Sequence, residues 1–392
     1  MDRSLNDKIV AYVRGHAEAQ LSFVIDLCNE NSYTYNIQGT NRVTEMILAQ
    51  LEGFFPQREV REQAEVGSHH ILRTRAACEP PGRRSIYLLG HMDTVFPPYH
   101  PFQRCRREGD WLIGPGTGDM KGGLGVIVYA LKALENVGLL DRLDLSLILS
   151  GDEEIGSATS HSLYEVERER ARLCLVAECA GPEGEIVVSR NGKAGARLDC
   201  FGVDSHVARV SGGKASAIVE MAHKVIALEA LNGSQPGVTI NAGRIEGGLG
   251  PSTVPAHASC LFDMRWSDEK DYGALLSETR RIVQESVQPQ CRCEYAILNH
   301  RPAMPASEVT EKMFRELRQL AESLGISLRA EHRRGTSDAN YFGAAGVPTL
   351  DGFGPICEGD HTSSERILIS SLRTRTTLLA LSLCCLGSGH PG

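Results

Sequence analysis

Three short segments of the 392-residue chain concentrate acids and an imidazole: Gly90-His91-Met92-Asp93-Thr94-Val95, Gly118-Asp119-Met120-Lys121-Gly122-Gly123 and Gly151-Asp152-Glu153-Glu154-Ile155-Gly156. The apolar run Ser85-Ile86-Tyr87-Leu88-Leu89 precedes the first. Leu143-Asp144-Leu145-Ser146-Leu147-Ile148-Leu149 precedes the third. Open α/β sheets build their sites where strand ends feed loops. One histidine and several carboxylates converging there make a hard, mixed nitrogen and oxygen donor set. Such a set suits zinc, or less often cobalt or manganese.

The elements that must position these groups alternate. Apolar residues near a 3.6 period predict helices over Leu5–Asn29 and Asn41–Phe54. Strands are expected at Ile86–Leu89, Leu143–Leu149 and Leu173–Glu178, with a helix at Gly122–Leu134 between the first two. That rhythm predicts an α/β fold with a mixed, mostly parallel sheet. The pattern changes after Pro182. Ile186–Ser189, Gly195–Gly202, Val238–Ile245 and Ala256–Trp266 read as strands with alternating faces, and Ala215–Leu231 and Asp268–Gln288 as helices. These six elements suit an inserted α+β domain of ferredoxin-like order. After about His300 the α/β style returns, with Val309–Leu324 as a helix, Pro348-Thr349-Leu350 as a short strand and Ile367–Leu386 as a closing helix. The expected organisation is a larger domain of residues 1–184 and 299–392, interrupted by a smaller one of residues 185–298.

Composition narrows the function classes. A formal net charge of −8 argues against a nucleic-acid partner, which would call for a basic patch. No apolar run reaches the roughly 20 residues of a membrane span, and no signal-peptide core follows the first residues, so a cytoplasmic protein is expected. The twelve cysteines lack zinc-ribbon spacing and read as buried free thiols of a reducing compartment. Of the thirteen histidines, His69, His70, His100 and His390 have no ligand-like context and read as surface residues.

Taken together, His91-Met92-Asp93, Gly116-Thr117-Gly118-Asp119-Met120-Lys121-Gly122-Gly123, Asp152-Glu153-Glu154, Glu178, Ser205-His206, Asn241 with Gly247-Gly248, Gly335-Thr336-Ser337-Asp338-Ala339-Asn340 and His361 resemble, in one order, the M20 metallopeptidase family. That family includes glutamate carboxypeptidases, aminoacylases, and acetylornithine and succinyl-diaminopimelate deacylases. The resemblance runs from about Leu5 to the last helix and is nearest the glutamate carboxypeptidase-like branch. It implies that His91 and Glu178 bind one metal, that Glu154 and His361 bind a second, and that Asp119 bridges both. It implies a general base at Glu153, a contact by which Asp93 holds the far nitrogen of His91, and a cis peptide after Asp119. It also implies that the inserted domain is a lid that pairs with its twin in a homodimer, and that His206 reaches the partner subunit's active site. One departure stands out: His206 is followed by Val207-Ala208-Arg209, where relatives often read Ala-Gly.

Chemistry gives the same assignments independent support. Two divalent cations roughly 3.5–4 Å apart need a bridging carboxylate to offset their repulsion, and Asp119, on a glycine-rich turn before a helix, can present both oxygens. A carboxylate two residues from a ligating histidine is a common means of holding its far nitrogen, which fits Asp93. Neighbouring side chains at a strand end diverge, so Glu154 can face metal while Glu153 faces water. Glu178 ends an apolar strand, where a carboxylate ligand is credible. Carboxylate recognition needs fixed donors: Arg301 supplies a guanidinium fork, Asn241 an amide, and Gly335-Thr336-Ser337 a turn. The expected activity is hydrolysis, dependent on two Zn2+ (or Co2+ or Mn2+), of an amide bond in a small peptide or N-acyl amino acid with a free carboxylate. The alternatives are a small-molecule N-acyl amino acid deacylase, a carbamoyl amidohydrolase on a related scaffold and, from another class, a metal-binding dimer without catalysis.

Overall fold

Continuous apolar runs become the centre of a six-stranded sheet. All seven residues of Ser85–His91 and all six of Leu145–Ser150 are buried, as expected of strands covered on both faces. In the computed structural model, which describes residues 3–78, 84–210, 213–234 and 237–387, the strand order is Gln57–Arg61, His69–Arg73, Leu145–Ser150, Ser85–His91, Ala171–Val176, Thr349–Leu350. The first two strands pair antiparallel and the remainder run parallel, so the sheet is mixed. The chain divides into two units, one of Met1–Ser189, Ala306–Arg333 and Ser337–Gly392, the other of Arg190–Pro305 and Arg334–Thr336.

In the first unit, helices Ala17–Asn29, Gly122–Asn136 and Ile369–Gly387 pack on one another. Their buried residues, among them Val24, Val126, Leu131 and Leu381, join those of the sheet in one hydrophobic core. The opening helix expected over Leu5–Asn29 is two helices, Arg3–Gly15 and Ala17–Asn29. His16 interrupts them with φ −111° and ψ 12°; the apolar period runs through the break, so periodicity could not reveal it. A small antiparallel sheet adds Cys357–Glu358, Arg366–Leu368, Trp111–Ile113 and Arg106–Glu108 in that order. None of these short strands was expected. They leave His361 in the connection between the first two.

His69 and His70 are not surface residues: they are 1% and 5% exposed, within the all-buried strand His69–Arg73. Their polar tips are met locally, His69 by Thr159 Oγ1 at 2.8 Å and His70 by Arg58 at 3.2 Å. Burial, reinforced by Arg58, pushes the His70 imidazole down to about 4. His100 is half-buried, and His390 lies outside the described residues.

The second unit carries an antiparallel sheet ordered Thr239–Gly247, His257–Trp266, Gly192–Phe201, Arg292–Arg301. Alternate residues of the two inner strands are buried, which gives the sheet one covered face. Helices Ala217–Glu229 and Glu269–Gln284 pack on the sheet. Ser216 and Asp268 cap them, accepting the backbone N–H of Val219 and Lys270 respectively. The membership of this sheet differs from expectation. Ile186–Arg190 pairs instead with Ala330–Arg333, and the fourth strand is Arg292–Arg301. That strand's residues are mostly exposed, so its apolar alternation is weak. Among the described residues no helix is long and apolar enough to cross a membrane.

Candidate metal centre

The parallel strands deliver the acids to one end of the sheet. His91 is the last residue of its strand, Glu153 and Glu154 follow Leu145–Ser150 in a one-turn helix, and Glu178 lies two residues past Ala171–Val176. Asp119 sits in the turn Thr117–Lys121, which leads into helix Gly122–Asn136. The Asp119–Met120 peptide bond is cis, as the resemblance implies. His361 holds the left-handed φ of 61°, a conformation in which histidine is several-fold enriched but which still carries a steric cost.

The two carboxylate oxygens of Asp119 face different partners. Oδ1 lies 2.8 Å from His91 Nε2, and that nitrogen is also 3.5 Å from Glu178 Oε1. Oδ2 lies 3.0 Å from His361 Nε2, which is 3.1 Å from Glu154 Oε2. Two triads therefore share one carboxylate: His91, Glu178 and Asp119 on one side, His361, Glu154 and Asp119 on the other. Candidate ligand atoms of His91, Asp119 and Glu154 all lie within 4.8 Å of one another.

Asp93 organises the surroundings of both triads. Its backbone carbonyl and its Oδ1 lie 3.1 Å and 3.3 Å from His91 Nδ1, leaving Nε2 directed at Asp119. Its carboxylate also accepts the backbone N–H of Glu153 and of Glu154, each at 3.2 Å, and the Thr34 hydroxyl at 2.7 Å. Thr34 carries no signal in the sequence; Glu365 ends the stretch Thr362-Ser363-Ser364-Glu365, which resembles the family's final ligand loop, with no role of its own attached to it. The Glu365 carboxylate, 1% exposed, accepts the backbone N–H groups of Gly116, Gly118 and Asp119 at 3.1, 2.8 and 3.1 Å. It fastens the Asp119 turn to the segment that follows His361. Asp152 takes four hydrogen bonds from Thr159 and Ser160, and His69 Nδ1 accepts the Gly151 N–H at 3.2 Å. The loop that presents Glu153 and Glu154 is thereby pinned from behind.

The electrostatics are those of crowded carboxylates. Burial and the charge of Asp119 push Glu178 up to about 7 and push Glu154 well above the carboxylate range. Burial alone would lower the His91 imidazole, but hydrogen bonds to Asp119, Asp93 and Glu178 outweigh it and raise it. Hydrogen bonds to Asp119 and Glu154 lift His361 to about 11. In addition, Oε1 of Glu154 is buried and has no hydrogen-bond partner among the described residues. An orphaned buried carboxylate oxygen needs a partner, and a divalent cation supplies one. The donor set of two imidazoles and three carboxylates, with Asp119 shared, fits two such cations.

The remaining candidates belong mostly to the second unit. His206 is exposed in the strand Ser205–His206, which pairs with Thr253–Val254; its Nδ1 accepts the Ala208 N–H at 3.2 Å. Asn241 is exposed in the edge strand Thr239–Gly247, opposite Asp263. Arg301, 5% exposed, ends strand Arg292–Arg301 opposite Lys193. The Gly335 carbonyl accepts from Arg190 at 3.0 Å, and Thr336 closes the same short segment. Ser337 lies in the first unit, where its hydroxyl donates to Asp351 at 2.7 Å.

A family profile described as peptidase family M20/M25/M40 matches residues 87–383. Carboxypeptidase G2 from Pseudomonas sp. (strain RS-16) is 26% identical over 373 residues, covering 93% of this chain and 88% of that protein. Succinyl-diaminopimelate desuccinylase from Bordetella pertussis is 27% identical over 304 residues, covering 72% and 78% respectively. Among solved structures, a dinuclear metal-binding peptidase from Bacillus subtilis superposes with a TM-score of 0.71 at 14% identity, covering 96% of this chain and 99% of that one.

Proposed function

The chain belongs to peptidase family M20/M25/M40 and is a hydrolase of the metallopeptidase type, and on that premise we propose that it is a dinuclear zinc enzyme cleaving the amide bond of a small peptide or N-acyl amino acid that bears a free carboxylate. The single observation that carries this reading is the division of Asp119 between two imidazole–carboxylate groups. His91, Asp119 and Glu178 would hold one metal, and Asp119, Glu154 and His361 the other. A metal pair held there would supply Lewis acidity to the scissile carbonyl and acidify a water near neutral pH. Glu153, whose backbone Asp93 fixes, takes the proton from the attacking water and passes it to the leaving amine. His206 donates to the developing oxyanion across a homodimer built through the lid, residues 185–298. Arg301, Asn241 and the turn Gly335-Thr336-Ser337 take the substrate's free carboxylate.

The similarity to carboxypeptidase G2 supports a C-terminal residue as leaving group, and the sequence resemblance to the glutamate carboxypeptidase-like branch favours a glutamate-like one. The similarity to a succinyl-diaminopimelate desuccinylase supports the second reading, a deacylase of small N-acyl amino acids. The imidazole and carboxylate donors favour zinc, with cobalt or manganese as substitutes, and twelve free thiols favour a cytoplasmic setting. The test is a zinc-supplemented screen of dipeptides ending in Glu, Asp, Arg or Leu beside N-acetyl and N-succinyl amino acids, with Glu153→Ala as control. Fastest turnover on the dipeptides ending in Glu supports the carboxypeptidase. Turnover confined to N-acyl amino acids selects the deacylase. No Glu153-dependent amide hydrolysis on any member overturns both.

A further inference from the structure

In the second unit, Cys200 and Cys293 are directly opposed on the neighbouring antiparallel strands Gly192–Phe201 and Arg292–Arg301. Their sulfurs are in contact, 2.7 Å apart, and both are thiols. Opposed residues of an antiparallel pair have Cα atoms roughly 4.5–5.5 Å apart, which falls within the Cα span of disulfides. The two thiols are not equivalent. Cys200 is fully buried in the core of this unit, opposite Ala258, while Cys293 is only partly buried at the edge strand. Near them lies the buried Lys224, whose ammonium donates to the Ile282 and Glu285 carbonyls and pairs with Glu220 at 3.0 Å.

We propose that Cys200 and Cys293 form a thiol pair that takes up a disulfide by exchange with a low-molecular-weight disulfide of the glutathione class. Cys293 is the entry point. Cys293 is the more accessible of the two sulfurs, and the nearby Lys224 charge favours its thiolate. The thiolate is the attacking species. The Cys293 thiolate attacks one sulfur of the small disulfide, forming a mixed disulfide and expelling one small thiolate. Cys200 then loses its proton and its thiolate attacks the Cys293 sulfur, expelling the second small thiolate. The two protons of the protein thiols leave on the two small thiols. The protein pair is oxidised by two electrons and the small disulfide is reduced by the same two.

Other thiols also lie near one another, among them Cys28 with Cys105 and Cys179 with Cys357. Neither occupies opposed positions on paired strands, and the first includes a fully buried thiol beside the buried Lys121. The test is to incubate the full-length folded protein with graded ratios of oxidised to reduced glutathione, trap free thiols by alkylation, and map peptides by mass spectrometry. The expected result is a Cys200–Cys293 bridge forming first, with the other thiols still alkylatable after denaturation. Cys200→Ser should stop the sequence at a glutathione adduct on Cys293, and Cys293→Ser should leave Cys200 reduced. Earlier bridging of Cys28–Cys105 or Cys179–Cys357 would overturn the proposal. So would a Cys200→Ser protein that folds, shown by an unchanged circular dichroism spectrum, and takes up no glutathione at Cys293.

Discussion

In the proposed mechanism Glu153 and Glu154 are adjacent acids with opposite duties. Glu154 turns an oxygen to His361 and its side chain is 3% exposed, with its second oxygen left for a cation, and the backbone N–H groups of both glutamates are anchored on Asp93. Glu153→Ala is therefore expected to keep its metal content, measured by elemental analysis, and to lose turnover by about 10²–10⁴-fold, the range for a lost general base. Normal turnover would remove Glu153 from the chemistry. Glu365 makes a different prediction. Its carboxylate satisfies three backbone N–H groups of the turn that carries Asp119, and outer partners of this kind typically contribute about 10–100-fold in metal affinity. Glu365→Ala should shift chelator-competition curves by that amount in a protein whose circular dichroism spectrum is unchanged. Coincident curves would assign Glu365 to folding alone. No spacing rule points to Glu365, because its partners are remote in sequence and meet it only after the small antiparallel sheet has formed.

At the scale of elements, the site depends on how closely helix Gly122–Asn136 approaches the end of strand Ala171–Val176. A Cβ built on Gly123 would lie 1.8 Å from the Ala177 carbonyl oxygen, one residue before Glu178, and backbone cannot yield as a flexible side chain does. Gly123→Ala should cost about 1–3 kcal/mol of stability, the usual price of overpacking, read as a lower urea midpoint with an unchanged slope. A midpoint equal to wild type would mean the helix and strand can separate freely. The elements legible in the sequence were those with one unambiguous period. Ser85–His91 and Leu145–Ser150 are uninterrupted apolar runs, and Gly122–Asn136 is apolar almost all round. His91, Asp119, Glu154, Glu178 and His361 could be singled out because motif order, rather than periodicity, carried them. Arg292–Arg301 was missed because an exposed edge strand shows little alternation, and His69–Arg73 because paired histidines look polar until their tips find partners.

At the scale of the whole molecule, the proposed cross-subunit role of His206 calls for two chains. All five candidate ligands lie in the first unit, whereas His206 lies in the second. If His206 serves the partner subunit, mixing inactive His206→Ala with inactive Glu153→Ala protein should restore part of the activity, because one of the two hybrid sites then holds both intact residues. Hybrid dimers that form, by native mass spectrometry, without recovered activity would place His206 outside catalysis or in its own subunit's site. The centre itself rests on Asp119, whose two oxygens each face a separate imidazole and carboxylate. Its most direct test is calorimetric titration of the metal-stripped protein with zinc, with elemental analysis after dialysis. Wild type should retain about two equivalents per chain, and Asp119→Ala should lose tight binding at both positions together. A wild type that saturates at one equivalent, or an Asp119→Ala protein that still holds two, would contradict a metal pair bridged by this carboxylate.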